Sequence, residues 1–414
     1  MKFLSAVFCI LLIFNLIAQQ QVEFKLDLEE PISKGNPVSI DISSLGINPN
    51  DTAYQLYMIK NDLKVPLPSQ IDVNGYPTLS FIAETHIKQN LNNEFILEEI
   101  NWPESEYSIN LIKGKEGIRL VYKDKPLLNY QTAIVYPPDG VDPVFRKSGF
   151  IHPLWSPSGE ILTRIQPPDH YHHYGLWGPW AHTHINGRFV DFCNLGEGLA
   201  TVRFSGLLNE EEGPVYSRFI ALQEHVDFGY KGEDQVALNE FLTVQVWHVD
   251  PEGKSWMVDY TTTINSPLDS GLILDAYRYG GGIGMRFTEK WHKDNCTVLT
   301  SEGDDRLTAD GTKAKWCIIE GESNYGRSGI LIMSHPTNRA HPEPMRVWPI
   351  NANGGRGDMF FEFCPIRHDS WIIKRGKSYT LKYRMVVFDG QITVEEAENY
   401  WKAFAYPPRL FKAK

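Results

Sequence analysis

Ser255-Trp256-Met257-Val258-Asp259-Tyr260-Thr261-Thr262-Thr263-Ile264 places Trp256, Val258, Tyr260, Thr262 and Ile264 at every second position. A period of two puts those side chains on one face of a strand, and aromatic and β-branched residues suit such a half-buried surface. The period returns in Val38, Ile40 and Ile42, in Leu242, Val244 and Val246, and in Tyr379, Leu381, Tyr383, Met385 and Val387. With 33 Gly and 26 Pro punctuating short runs, this predicts an all-β protein built on a large antiparallel β-sandwich. Only the tail reads as helix. Thr393 and Glu396 form a capping box, Val394, Ala397, Tyr400, Trp401 and Phe404 share a stripe, and Pro407-Pro408 ends it.

The order of segments suggests three parts. Lys2 followed by the apolar run Phe3–Ile17 and Ala18 has the layout of a cleaved secretory signal over 1–20, so export to the periplasm or beyond is expected. A small N-terminal β-domain should occupy 21–114, ending in the polar stretch near Glu104–Glu116. The large sandwich with its short C-terminal helix should fill 118–414. No later segment has the ~18 consecutive apolar residues of a membrane span. A net charge of −11, with scattered basic residues, argues against nucleic acid as a partner. Cys193, Cys296, Cys317 and Cys364 form no CxxC pair, which excludes a zinc ribbon or thioredoxin-type site. One disulfide or buried free thiols both remain open for them.

Chemistry should concentrate where histidine does. Six of the 13 histidines lie between His152 and His184, centred on Asp169-His170-Tyr171-His172-His173-Tyr174-Gly175-Leu176-Trp177 and on His182-Thr183-His184. Imidazole titrates nearest neutral pH, so such a cluster suits proton transfer or metal ligation. In an extended segment His170 and His172 would face one way, as would His182 and His184. That makes His170, His182 and His184 candidate ligands of a divalent metal, although the spacing gives no complete ligand triad. Trp155, Trp177 and Trp180 could stack on sugar rings. In Asp275-Ala276-Tyr277-Arg278-Tyr279-Gly280-Gly281-Gly282-Ile283-Gly284-Met285-Arg286 the glycines suggest close backbone approach, because neither a P-loop lysine nor a following helix is present. Tyr277, Arg278 and Tyr279 could face a ligand, and arginine grips carboxylate or sulfate with paired hydrogen bonds, a structural ion pair being the alternative. The proline-punctuated loop Ser334–Arg346 offers Arg339 and His341 as binding residues. Glu362, inside Phe360-Phe361-Glu362-Phe363, would become a base or acid near neutral pH if buried.

Gly149-Phe150-Ile151-His152-Pro153-Leu154, the Asp169–Trp177 run, His335-Pro336…Asn338-Arg339…His341-Pro342 and Tyr383-Arg384-Met385-Val386-Val387 together resemble one bacterial domain family. It is the family labelled methane oxygenase PmoA, and the resemblance extends from about Ile118 to the tail. The oxygenase in that label needs several membrane-spanning helices, which this sequence lacks. Members commonly accompany polysaccharide-degradation genes. One lineage acts as an oligosaccharide dehydratase in the breakdown of ulvan, a sulfated algal polysaccharide rich in uronic acid. Glu362 followed by Arg375-Gly376-Lys377-Ser378-Tyr379 also resembles the galactose mutarotase supersandwich, which implies Glu362 as a base and a single large sandwich. The dense histidine run departs from that pattern, so epimerase activity does not carry over.

Together these readings predict an exported dehydratase acting on uronate-terminated oligosaccharides. Arg278 would neutralise the carboxylate, with Arg164 or Arg339 as deputies. His173 or Tyr277 would take the proton, His172 would protonate the leaving hydroxyl, and Trp177 and His341 would help hold the sugar. A metal-assisted glycoside or ester hydrolase and a non-catalytic glycan-binding protein are the alternatives.

Overall fold

The computed structural model describes residues 20–88, 93–100, 109–230, 232–247 and 252–411. The segment read as a secretory signal lies outside them, except for residue 20.

Two antiparallel sheets form the bulk of the molecule. One has eight strands, ordered Ala200–Glu211, Tyr216–Tyr230, Glu233–Trp247, Ser255–Asn265, Tyr379–Asp389, Gly326–Ser334, Trp316–Ser323 and Cys296–Thr300. The other has nine: Lys313–Ala314, Glu343–Val347, Phe360–Phe363, Ile283–Arg286, Leu176–Trp177, Phe150–Leu154, Lys125–Gln131, Gly117–Tyr122 and Ile109–Lys113. Their inner faces share one core, to which Trp256, Val258, Tyr260 and Ile264 contribute from one sheet and Ile151, Leu176, Met285 and Phe361 from the other. This is the large sandwich that the alternation predicts.

The period of two also explains the helix. Leu381, Tyr383, Met385 and Val387 enter the shared core, while the intervening Val386 and Phe388 face outward. Val394–Ala405 covers that outer face with Ala397, Trp401 and Phe404, and its capping box forms as expected. Val394 departs from the stripe and is 54% exposed.

The N-terminal part is a smaller pair of sheets. Five strands run in the order Arg409–Phe411, Gln21–Asp27, Glu94–Ile100, Ala53–Lys60 and Leu63–Leu67, and three in the order Pro37–Asp41, Thr78–Ile82 and Ser69–Asp72. Phe24, Val38, Ile40, Leu56, Phe81 and Phe95 fill the space between them. Two details differ from the segment order. Ile109–Lys113, within the span expected for the small domain, instead makes a hairpin with Gly117–Tyr122 in the nine-stranded sheet. Arg409–Phe411 returns from the far end of the chain to pair with Gln21–Asp27. Arg218 ties the small part to the large one through Asp72 at 2.6 Å. All four described cysteines are buried free thiols.

Candidate active site

On the nine-stranded sheet Met345, Val347, Phe361, Phe363, Met285, Leu176 and Ile151 point into the core. Alternation therefore turns Arg346, Glu362, Gly284 and Trp177 to the opposite face, and the strand registers align them in one row. Arg286 and Phe360 lie opposite each other in the next row. The glycines let other chain segments close onto this face. A Cβ on Gly281 would sit 2.2 Å from the Phe363 carbonyl oxygen, and one on Gly284 would sit 2.8 Å from Pro179.

The histidine run is not extended. His170 N donates to Pro167 O at 2.8 Å and His173 N to His170 O at 3.0 Å, which makes consecutive turns. Proline at 167 and 168 favours such bends. The turns gather what a strand would have separated: the rings of His170, His172 and His173 lie 4.7–5.3 Å apart. His173 is buried at 3% exposure against Phe360, Trp177 and Trp348, so it forms part of the floor. His172 is half-buried. Desolvation, helped by neighbouring His170, pushes its pKa down to about 4, so at neutral pH it is uncharged and unsuited to the acid role expected of it.

His170 is the oriented member of the group. Its Nδ1 lies 2.9 Å from Asp169 Oδ2, which also accepts from Arg286 Nη2 at 2.7 Å. Burial opposes the Asp169 charge, yet the His170 and Arg286 contacts outweigh it and hold the carboxyl well below its usual range. Arg286, itself buried, also donates to Asp358 at 2.9 Å and lies 4.6 Å from the Trp348 ring centre. Arg306 fixes this wall from behind through the carbonyls of Trp348 and Asp358. A carboxylate on Nδ1 sets the ring orientation and leaves Nε2 for a substrate proton.

A second oriented histidine stands nearby. His184 Nδ1 is 2.5 Å from Asp275 Oδ2, and the His182 ring stacks on Tyr277 at 3.5 Å. Ring contacts link both groups. Tyr277 neighbours Tyr279 at 5.9 Å, Tyr279 neighbours Phe360 at 6.0 Å, and Phe360 stacks on His173 at 5.0 Å. Tyr279 Oη accepts from Arg346 at 3.0 Å and from Trp348 at 3.1 Å, which braces the junction. Desolvation raises the Tyr277 phenol above its ordinary pKa, against the pull of Arg278, so it keeps its proton at neutral pH.

Glu362 lies beneath this surface, fully buried. Its Oε1 accepts from Gly280 N at 2.5 Å, while its Oε2 has no partner among the described residues. Burial pushes its pKa up to about 8, so below that pH it carries a proton and does not act as a solvent-facing base. A raised folded-state pKa means that the folded chain binds this proton more tightly than the unfolded one, whose carboxyl titrates near 4.5. Stability from this group is fully present below pH 4.5 and is lost as pH rises to about 8. The thermal transition of the parent should therefore fall across that window relative to Glu362→Gln. Parallel transition-against-pH curves for the two proteins would rule this out.

The remaining predicted residues divide. Arg164 flanks the Asp169 group and pairs with Glu289 at 3.4 Å, and exposed Arg278 lies 5.3 Å from the Tyr279 ring centre. Trp177 and Trp180 are buried at 3% and 0%, so neither offers a sugar its face. Arg339 donates to the Ser370 carbonyl at 2.9 Å and lies over Trp371, while His341 stacks on Trp401 of the helix. These two serve the loop that holds them and do not join the histidine–tyrosine wall. Among the described residues no three His, Cys, Asp or Glu side chains are placed to hold a metal ion. His170, His182 and His184 each have other neighbours, as above. The sequence reading missed Arg286 and Arg346, both within quoted motifs, and Trp348 and Asp358, which lie outside them.

A model of a family of unknown function, DUF6807, matches residues 117–402, and the chain belongs to that family. No curated protein matches the chain. Among solved structures, a galactose mutarotase related enzyme from Lactobacillus acidophilus is 8% identical, with a TM-score of 0.34, over 68% of this chain and 97% of its own. Heparan sulfate lyase HepC from Pedobacter heparinus, as a mutant, is 9% identical with a TM-score of 0.30. The match covers 71% of this chain and 38% of the lyase.

Proposed function

We propose that this chain is an exported carbohydrate-active enzyme, an oligosaccharide dehydratase that eliminates water from a terminal uronate, as in ulvan fragments. The supporting observation is the array Arg286–Asp169–His170, in which the Asp169 carboxylate fixes His170 Nδ1 and ring contacts connect it to Tyr277, a phenol that keeps its proton. In this reading His170 removes the C5 proton, weakly acidic because it is α to the carboxylate. Arg278 and Arg164 neutralise that carboxylate as enolate charge develops. The C4–O bond then breaks, Tyr277 protonates the departing hydroxyl to water, and the electron pair closes a C4=C5 double bond. His172 stays neutral beside the base, and His182 holds the Tyr277 ring flat.

The test is mass spectrometry of uronate-terminated algal oligosaccharides incubated with the protein, followed in parallel by ultraviolet absorbance. Loss of one water with new absorbance is expected. Gain of one water on fragmentation would replace this reading with hydrolysis, and no change on any uronate would remove it. Arg278→Met should lower turnover by about 10²-fold, the scale of losing one donor to developing charge. Unaltered kinetics in the folded variant would take Arg278 out of the mechanism.

A further inference from the structure

The sheet face that carries Trp177 and Glu362 continues past Phe150–Leu154 to the strands Lys125–Gln131, Gly117–Tyr122 and Ile109–Lys113. Ile118, Leu120 and Leu128 point into the core there, so Arg119, Val121 and Asn129 lie on that same outer side. They line a groove of about 550 Å³ together with Ile112, Lys115 and Lys123. Arg119 stands five strand spacings from Glu362 in the sheet order, about 24 Å at the usual inter-strand distance.

The groove is locally cationic in an acidic protein. Its lining holds Lys115, Arg119 and Lys123 against Glu116 and Asp124, a net +1, whereas the chain as a whole carries −11. Among the described residues Lys113 pairs with Glu210, but Lys115, Arg119 and Lys123 have no ion-pair partner. All three are exposed, and the Arg119 guanidinium lies 5.7 Å from the Trp155 ring centre. Unpaired cations beside an aromatic ring and the apolar Ile112 match a ligand with fixed negative charges on rings that have apolar faces.

We infer that this groove is a second binding site, for a sulfate- or carboxylate-bearing stretch of glycan chain distant from the reacting end. The choice of a glycan rests on the carbohydrate reading of the candidate active site, while the preference for anions rests on the groove alone. A chain laid across the sheet would be gripped here while its terminus meets the histidine–tyrosine wall.

Calorimetric titration with dextran sulfate, neutral dextran and single-stranded oligothymidylate at 0.15 M salt tests it, because screening there is short-ranged, about 8 Å. Dextran sulfate should bind and neutral dextran should not. Lys115→Glu/Arg119→Glu/Lys123→Glu should weaken dextran sulfate at least tenfold and leave turnover of the shortest substrate unchanged. The same charge reversal at exposed Lys60, Lys374 and Lys377 should not weaken it. If the triple variant misfolds, Arg119→Ala alone should still weaken binding about threefold. Equal losses in both triple variants, no loss in either, or oligothymidylate binding as tightly as dextran sulfate would overturn the proposal. Groove-dependent dextran sulfate binding by a protein that eliminates no water would overturn the dehydratase reading and leave this one standing.

Discussion

His170→Ala should turn over its substrate about 10²–10⁴-fold more slowly than the parent protein, the usual contribution of a positioned general base. The thermal transition should move little, because His170 is partly exposed, its side chain retaining 35% accessibility. Asp169→Asn should show a similar loss for a different reason. The amide keeps the shape of the carboxylate but no longer fixes the imidazole tautomer, so the proton sits on the wrong nitrogen. Steady-state kinetics on the elimination substrate, with circular dichroism to confirm folding, checks both. A folded His170→Ala protein within threefold of the parent rate would require another base, with half-buried His172 the next candidate.

Arg286→Met should be the most destabilising single change in the site. The Arg286 side chain is 1% exposed, and removing its guanidinium leaves Asp358, 3% exposed, and Asp169, 14% exposed, without their shared cation. Breaking one partner of a buried ion pair typically costs about 3–5 kcal/mol. At ~2–4 °C per kcal/mol for about 200 residues and roughly half that for this chain of 414, the midpoint should drop on the order of 5 °C. Adding Asp169→Asn should recover part of that loss, since Asp358 keeps Arg356 and Asn353 while Asp169 is left with only His170. A double variant no more stable than Arg286→Met would show that the two residues are not energetically coupled.

The two site predictions differ in how far they could be read from the chain. Trp256, Val258, Tyr260 and Ile264 announce their strand because a period of two is local, and burial on one face follows directly from it. Thr393 and Glu396 likewise state the helix start within four residues. His170 was visible as a residue type but not as a geometry: the expected extended segment became two turns, and His173 passed from candidate base to floor. The pairing of Asp169 with Arg286 spans 117 positions in sequence, and that of His184 with Asp275 spans 91. No local pattern encodes contacts of that separation, since they depend on which strands become neighbours in the sheet. Glu362 shows the intermediate case. Its apolar neighbours Phe361 and Phe363 left burial and a solvent-facing carboxylate both open, and the choice between them depends on Gly280 and the segment folded over it.

The pairing of Arg409–Phe411 with Gln21–Asp27 places the latest residues of the fold beside the earliest. Lys25, Leu26 and Asp27 complete their pairing only once Phe411, Leu410 and Arg409 have been made and folded back. Until then the remaining four strands present an open edge with unpaired backbone groups, which invites pairing with a second nascent chain. Proteolytic trimming behind the helix would recreate that edge in the finished protein. Loss of a few residues there is thus expected to surface as self-association rather than as a change in chemistry.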